Sequence, residues 1–204
     1  MNFGNTSDIV SAMCNIAMAG AAVYAALNAK GWFSQKSHTR GHEKAEEILS
    51  SIDVFYRNRN QTLAELYQLH KLIIEINKHI DNYEKKDNFV YKEKSKYFSE
   101  YISKIDKLSE ELELMERWNI LVVNKDKITN IIKHLREFNV SAYNTCHMSY
   151  ICITELNNGD IDEFTNAFKL MNVHYHEFAL GLHNVEFYYK NFKNVKFTDF
   201  FVIG

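Results

Sequence analysis

The sequence predicts an all-α protein in which a single transmembrane helix is followed by two antiparallel helical hairpins that form a four-helix-bundle-like cytoplasmic domain. Three observations predict this fold. The 204 residues include no proline, the residue that most strongly interrupts helices. The run from Ile9 to Asn28 carries no charge. Elsewhere, apolar residues recur at steps of three and four, which is the period of a half-buried helix.

The uncharged run is long enough to cross a bilayer, because 20 helical residues rise about 30 Å. Alanines, Ser11, Asn15 and Asn28 dilute its hydropathy. A buried soluble helix and a helix lying in the membrane interface are therefore alternatives. We expect a membrane anchor over residues 1–33 and a cytoplasmic helical domain over residues 34–204.

Small residues form one stripe along this anchor, at alternating steps of three and four. In lipid, such a stripe lets two helices approach closely, and an asparagine on it can hydrogen-bond across the contact. The alternative is that alanine is simply a good helix former. We predict that the chain is a homo-oligomer that associates through this face, which consists of Ala12, Asn15, Ala19, Ala22, Ala26 and Ala29.

The residues after the anchor indicate its orientation. Trp32 and Phe33 suit the headgroup boundary, and Lys36 and Arg40 follow with no acid before Glu43. By the positive-inside rule the amino terminus is outside and the bundle is cytoplasmic. No basic segment precedes the apolar run, which argues against a cleaved signal peptide. The predicted location is the inner membrane, crossed once.

Four helices are predicted after the anchor, at about 41–83, 91–118, 125–156 and 160–192. The first is one helix or two, because its apolar period falters at residues 57–61. Gly159 should end the third helix in a left-handed conformation, and Asp160 should cap the fourth. Residues 119–124 are interpreted as a connection. The apolar tail, residues 195–204, should dock on the bundle or on a partner.

The common catalytic motifs are missing from the sequence. It contains no Gly-rich phosphate loop, no G-x-S-x-G elbow, no H-E-x-x-H and no C-x-x-C. The cysteines Cys14, Cys146 and Cys152 form no disulfide or zinc pattern and suit reduced thiols. We predict a non-enzymatic protein with no catalytic residue and no cofactor.

Two H-x-x-E pairs are candidate metal ligands, His134 with Glu137 and His183 with Glu186. If the last two helices fold back about Gly159, both histidines reach the same height, and the four side chains would suit a divalent cation. The order is the reverse of the Glu-x-x-His pairs of di-metal bundles. Hydrogen bonds and ion pairs along the rim of the hairpin are therefore the favoured interpretation.

Two lysine clusters are further candidate binding sites: Lys92, Lys94 and Lys96, and Lys190, Lys193 and Lys196 beside aromatic residues. Lysines interleaved with aromatic rings bind either nucleic acid or anionic lipid. The net charge of −2 does not call for nucleic acid. We expect the membrane as a partner, a protein partner on the bundle, and no nucleic acid.

An amino-terminal anchor with a basic flank and a helical domain resembles the layout of many small bacterial and prophage-borne membrane proteins. Some of these act in phage defence or regulate a membrane partner. The resemblance implies a membrane-anchored helical interaction or effector protein of bacterial or prophage origin. It assigns no residue. The alternative is a soluble or tethered bundle with a metal- or nucleic-acid-dependent activity.

Overall fold

A computed structural model describes residues 6–118 and 120–203, apart from the side chains of residues 6–8, 33–34, 37–38 and 203. It confirms the all-α prediction. An apolar amino-terminal helix is followed by helices that pack together. The long helices are α1 (Thr6–Lys78), α2 (Phe89–Glu113), α3 (Lys125–Asn158) and α4 (Ile161–Phe192).

The first helix runs without interruption from the apolar amino-terminal segment into the bundle. It has 73 residues, which corresponds to about 110 Å. The polar segment at residues 57–61 does not break it, so the prediction of one helix rather than two is the correct alternative. Gly31 and Gly41 are also helical. Because α1 continues across residues 33 and 34, the apolar segment and the bundle are joined by continuous helix.

The third helix is the centre of the bundle and packs on α1, α2 and α4. Its most extensive contact is with α4, and Gly181 lies at that contact. A Cβ at Gly181 of α4 would lie 3.5 Å from the Cα of Phe138, so the two backbones pass close together. Phe138 also stacks on Phe178, with 4.5 Å between ring centroids. The main hydrophobic core therefore lies along α3.

The connection between α3 and α4 is the tight turn that the sequence predicts. Gly159 has a φ of 82°, which a residue with a Cβ adopts only with strain. The Asp160 carboxylate accepts a hydrogen bond from the backbone N–H of Glu163 at 3.0 Å and caps α4. This tight turn makes α3 and α4 antiparallel neighbours.

Two sets of residues on α4 repeat every seven positions. The first set is buried and faces the core. The second set is half-buried and includes Tyr175 and Tyr189, whose rings stack on His70 and Tyr56 of α1. The buried set is Phe164, Met171, Phe178, Val185 and Phe192, and the half-buried set is Phe168, Tyr175, Leu182 and Tyr189.

A small cap closes the end of the bundle from which the anchor extends. It consists of a 3-10 turn (Met115–Trp118), β1 (Ile120–Val122), a short helix α5 (Phe197–Phe200) and β2 (Phe201–Ile203). The strands pair antiparallel with Leu121 opposite Val202. Phe200 and Phe201 are buried. The prediction that the tail docks on the bundle is confirmed, and the connection at 119–124 includes a strand.

Candidate functional site

The apolar amino-terminal part of α1 is an exposed hydrophobic surface and a candidate membrane span. The 24 residues Ile9–Trp32 are long and apolar enough to cross a membrane, and none of that segment is buried. Its large side chains are exposed: Met13 is 68% exposed, Ile16 73% and Leu27 65%. Among the described residues, this is the one helical segment whose length and composition would allow it to cross a membrane.

The predicted association face lies on this exposed part of α1. All six of its residues are exposed, and no other part of the described chain covers them. A Cβ added at Gly20 would meet nothing within 4 Å. The helix surface is thus open to another helix or to lipid along its whole length. The six residues are Ala12, Asn15, Ala19, Ala22, Ala26 and Ala29.

The basic flank lies where the apolar segment of α1 meets the bundle. The Lys36 ammonium lies 4.7 Å from the centroid of the Trp32 ring, so the cation and the ring cover each other. Arg40 is exposed and borders a hollow with Trp118 of the cap. The side chain of Phe33 lies outside the described residues. Trp32, Lys36 and Arg40 thus form one continuous aromatic and basic strip before the cap.

The candidate metal ligands are not brought together. His134 Nδ1 lies 2.9 Å from Glu137 Oε2 on the same helix, at ion-pair distance but without hydrogen-bond geometry. Its ring stacks on Tyr188 at 4.2 Å. His183 is exposed, and Glu186 lies 3.6 Å from Arg59 of α1. Among the described residues, no three His, Cys, Asp or Glu side chains form a group that could hold a metal.

A polar seam between α1 and α4 was missed by sequence reasoning. Tyr56 is sandwiched between the Arg59 guanidinium, 3.7 Å from its centroid, and the Tyr189 ring at 3.4 Å. Tyr189 donates a hydrogen bond of 2.8 Å to Asp53. Burial and this bond raise the pKa of Tyr189 to about 12.

The polar interval at residues 57–61 supplies part of this seam. Asn58 donates a hydrogen bond to the Tyr101 hydroxyl of α2, and Arg59 approaches Glu186 of α4. The apolar spacing falters at these residues, yet the helix continues. That combination was the sequence signal for polar contacts between helices.

A second stacked pair lies farther along the same seam. The rings of His70 and Tyr175 are parallel within 3°, at 3.7 Å. His70 Nε2 lies 2.9 Å from the side-chain oxygen of Asn172. Burial lowers the pKa of His70, and the bond to Asn172 only partly offsets that effect. A neutral His70 therefore has a structural role here.

An open groove of about 590 Å³ lies between α2 and α3. Lys92 and Lys96 line one side together with Glu93, while Tyr143, His147 and Tyr150 line the other. The rings of Tyr143 and His147 are parallel within 5° at 5.8 Å. Spacings of four and three along α3 place these three rings on one face. This arrangement of cations and rings could hold an anionic aromatic group.

The remaining lysines of the two clusters lie elsewhere. Lys94 pairs with Glu65 of α1 at 2.6 Å and does not line the groove. Lys190, Lys193 and Lys196 are exposed near the cap end of α4. The structure therefore splits the first cluster between an ion pair and the groove.

The buried thiols are unsuited to nucleophilic chemistry. Burial raises the pKa of Cys146 and of Cys152 to about 12, so both are protonated near neutral pH. The neighbouring Tyr91 hydroxyl is buried, and burial raises its pKa as well. Cys146 belongs to the main hydrophobic core, and Cys152 and Tyr91 belong to a second cluster to which all four long helices contribute.

Comparison with known proteins gives no relative for this arrangement. No family model, no curated protein and no solved structure matches the chain.

Proposed function

We propose that the chain is a single-pass membrane-anchored, non-enzymatic interaction protein whose anchors associate with one another. The amino terminus lies outside the inner membrane and the helical bundle is cytoplasmic. There the bundle binds a protein partner or acts as an effector. The layout fits a bacterial or prophage-borne membrane protein, and a role in phage defence is the cellular function that we propose to test.

One observation carries this proposal: the apolar segment Ile9–Trp32 is wholly exposed on a helix that is continuous with the bundle. A soluble chain would leave a large apolar surface in water, which monomers rarely do. A bilayer removes this surface from water without any change of fold. The basic strip after Trp32 favours the cytoplasmic side for the bundle.

Fractionation of cells that express the full-length chain tests the anchor. We expect the chain in the membrane pellet after washes with high salt and with carbonate, and release only by detergent. A cysteine introduced before Thr6 can then be labelled to find its side of the membrane. We expect this labelling to show an external amino terminus. Full-length chain in the soluble fraction without detergent would overturn the proposal.

Crosslinking in membranes tests association through the small-residue face. Ala19→Leu or Ala22→Leu places bulk at the centre of that face and should reduce crosslinked oligomers, because the backbones can no longer approach. Ala17→Leu is the matched control, since residue 17 lies on another side of the helix. Growth arrest on overexpression should weaken in parallel. Equal crosslinking in all three variants would show that the anchor is only a tether.

The groove between α2 and α3 favours a second candidate function, the binding of an anionic aromatic ligand such as a nucleotide or single-stranded nucleic acid. The observation behind it is the pairing of Lys92 and Lys96 with the α3 rings. Single-stranded oligonucleotide binding that is lost in Lys92→Ala/Lys96→Ala, but kept in Lys190→Ala, would support it. No binding by the unmodified protein at low salt would exclude it.

A further inference from the structure

A third set of residues on α4 repeats every seven positions, and this set is exposed. It lies opposite the buried set, because residue 173 follows Met171 by two positions, or about 200° around the helix. Val173, Leu180 and Phe187 are 53%, 57% and 56% exposed. A column of apolar residues at seven-residue spacing is a surface against which another helix packs. We call this set the outer stripe of α4: Asn166, Val173, Leu180 and Phe187.

The two columns that flank the outer stripe differ in charge. One holds two lysines and two histidines. The other holds two glutamates, a leucine and an asparagine. Asp162 continues the line of the first column into the first turn of α4, where an acid suits the helix amino terminus. All eight residues of the two columns are exposed: Lys169, His176, His183 and Lys190 form the basic column, and Glu163, Leu170, Glu177 and Asn184 form the acidic column.

Charge complementarity selects a second copy of α4 that runs in the same direction. In a parallel pair related by a two-fold axis, the basic column of each helix lies against the acidic column of the other. His176 then faces Glu177 of the second copy, whose side chain is 53% exposed although His174 of its own helix lies 2.9 Å away. In an antiparallel pair, each column meets its own counterpart, so that Lys169 approaches Lys190 of the second copy. Repulsion between like charges disfavours that arrangement.

The proposed membrane anchoring leads independently to the same direction. The stacks of Tyr189 on Tyr56 and of Tyr175 on His70 show that α4 runs antiparallel to α1. In copies that share one membrane and one orientation, every α1 leaves the bilayer, so every α4 runs back toward it. The α4 helices of two neighbouring copies are therefore already parallel.

The size of the surface suits copies that are held in one membrane. A stable interface in solution buries about 800 Å² of each partner, from about 20 to 30 residues. The outer stripe and its two columns provide twelve exposed residues. This contact is too small for a stable dimer of free bundles. Anchoring raises the effective concentration of one bundle around another, which lets a weak contact form.

We infer that the exposed face of α4 is a contact between two copies of the chain in which the two α4 helices are parallel. The inference rests on the proposed membrane anchoring. It adds a contact between the cytoplasmic bundles to the one proposed between the anchors. Because the contact is weak without anchoring, the bundles pair where the chain is dense in the membrane.

Crosslinking of single cysteines in the full-length chain, in membranes, tests this inference. The background is Cys14→Ser, since Cys146 and Cys152 are buried. A short bismaleimide joins two cysteines only when they lie close together. The control is Val90→Cys on α2, which is 51% exposed in the unmodified chain, like the stripe residues.

We expect Val173→Cys, Leu180→Cys and Phe187→Cys each to form a crosslinked dimer, and Val90→Cys to form little. In a parallel pair every stripe residue lies opposite the same residue of the second copy, so all three positions react. An antiparallel pair centred on residue 180 would react at that position alone, and this result would overturn the inference.

A charge swap tests the contact between the flanking columns. In the Phe187→Cys chain, His176→Glu should remove most of the crosslinked dimer, because the new carboxylate faces Glu177 of the second copy. Adding Glu177→Lys should restore the dimer. His79→Glu is the matched control, because His79 is exposed beyond the end of α1. Equal crosslinking in all of these variants would contradict the pairing of the columns.

Fractionation of the same samples separates the two proposals. A chain that resists the carbonate wash, but crosslinks no more at residues 173, 180 and 187 than at residue 90, would overturn the α4 contact alone. A chain that the wash releases would overturn the anchoring as well.

Discussion

Tyr56 and Tyr189 stack face to face across the seam between α1 and α4, with 3.4 Å between ring centroids and 9° between ring planes. Fourteen residues farther along each helix, in opposite directions, His70 and Tyr175 repeat the same contact. The equal spacing shows that the helices are antiparallel and in register over four turns. Large rings therefore bridge a pair of helices that approach each other less closely than α3 and α4 do.

The hydrogen bond from Tyr189 to Asp53 should contribute to stability separately from the stacked rings. Tyr189→Phe keeps the ring and removes the donor, so we expect the free energy of unfolding to fall by roughly 1 kcal/mol. Tyr189→Ala should cost more because it also removes the stack on Tyr56. Denaturant unfolding of the full-length chain in detergent measures both. An equal loss in the two variants would show that the stack contributes nothing.

Alkaline pH should weaken the same contact. The pKa of Tyr189 is raised to about 12 in the fold, against about 10 in an unfolded chain. A raised pKa means that the folded state favours the protonated phenol. This stabilisation is complete below pH 10 and is lost as the pH rises through 12. The difference in unfolding free energy between the unmodified chain and Tyr189→Phe should therefore shrink over that interval, and a constant difference would contradict the assignment.

The two sets of residues on α4 should differ in their effect on stability. Phe178 is fully buried against Phe138, so Phe178→Ala should destabilise the bundle by about 3 to 5 kcal/mol. Phe168 belongs to the half-buried set, and its replacement by alanine should cost less. Lys190→Ala, on the exposed side, should change the unfolding midpoint little. Similar losses for Phe178→Ala and Phe168→Ala would show that the α1 side of α4 is as tightly packed as the core.

The cap packs closely against α1 at Gly41. A Cβ there would lie 2.6 Å from Ile120 Cδ1 and 3.1 Å from the backbone oxygen of Trp118. Gly41→Ala should therefore push the cap away and cost about 1 to 3 kcal/mol. Gly31→Ala is the matched control, because its Cβ would meet nothing within 4 Å. Protease cleavage near residue 120 should increase only in Gly41→Ala.

Metal analysis of the purified protein addresses the alternative function. We expect no zinc, iron or manganese that depends on His134 and His183, because the four candidate ligands do not converge. His134→Ala/His183→Ala should keep its fold, with a modest loss from the stack on Tyr188. Stoichiometric metal that disappears in this double variant would restore the metal-dependent alternative.

The metal candidates show why a site is harder to predict than a helix. The prediction that His134 and Glu137 lie on one helix is confirmed, and so is the turn at Gly159 that folds α4 back against α3. Side-chain direction, however, depends on the rotation of each helix about its own axis. That rotation turns Glu186 toward Arg59 of α1 and leaves His183 exposed.

The sequence by itself determined the helices, their order and the apolar amino-terminal segment, whereas the exposure of that segment is a finding of the structure. These follow from local properties: the absence of proline, the spacing of apolar residues, the left-handed glycine at 159 and the cap at Asp160. Only the tertiary structure decided which polar side chains meet. The seam of Asp53, Tyr56, Arg59 and Tyr189 joins residues more than 130 positions apart. The pairing of residues 120–122 with 201–203 is similarly long-range, because short strands gain stability only from the partner and the core that they cover.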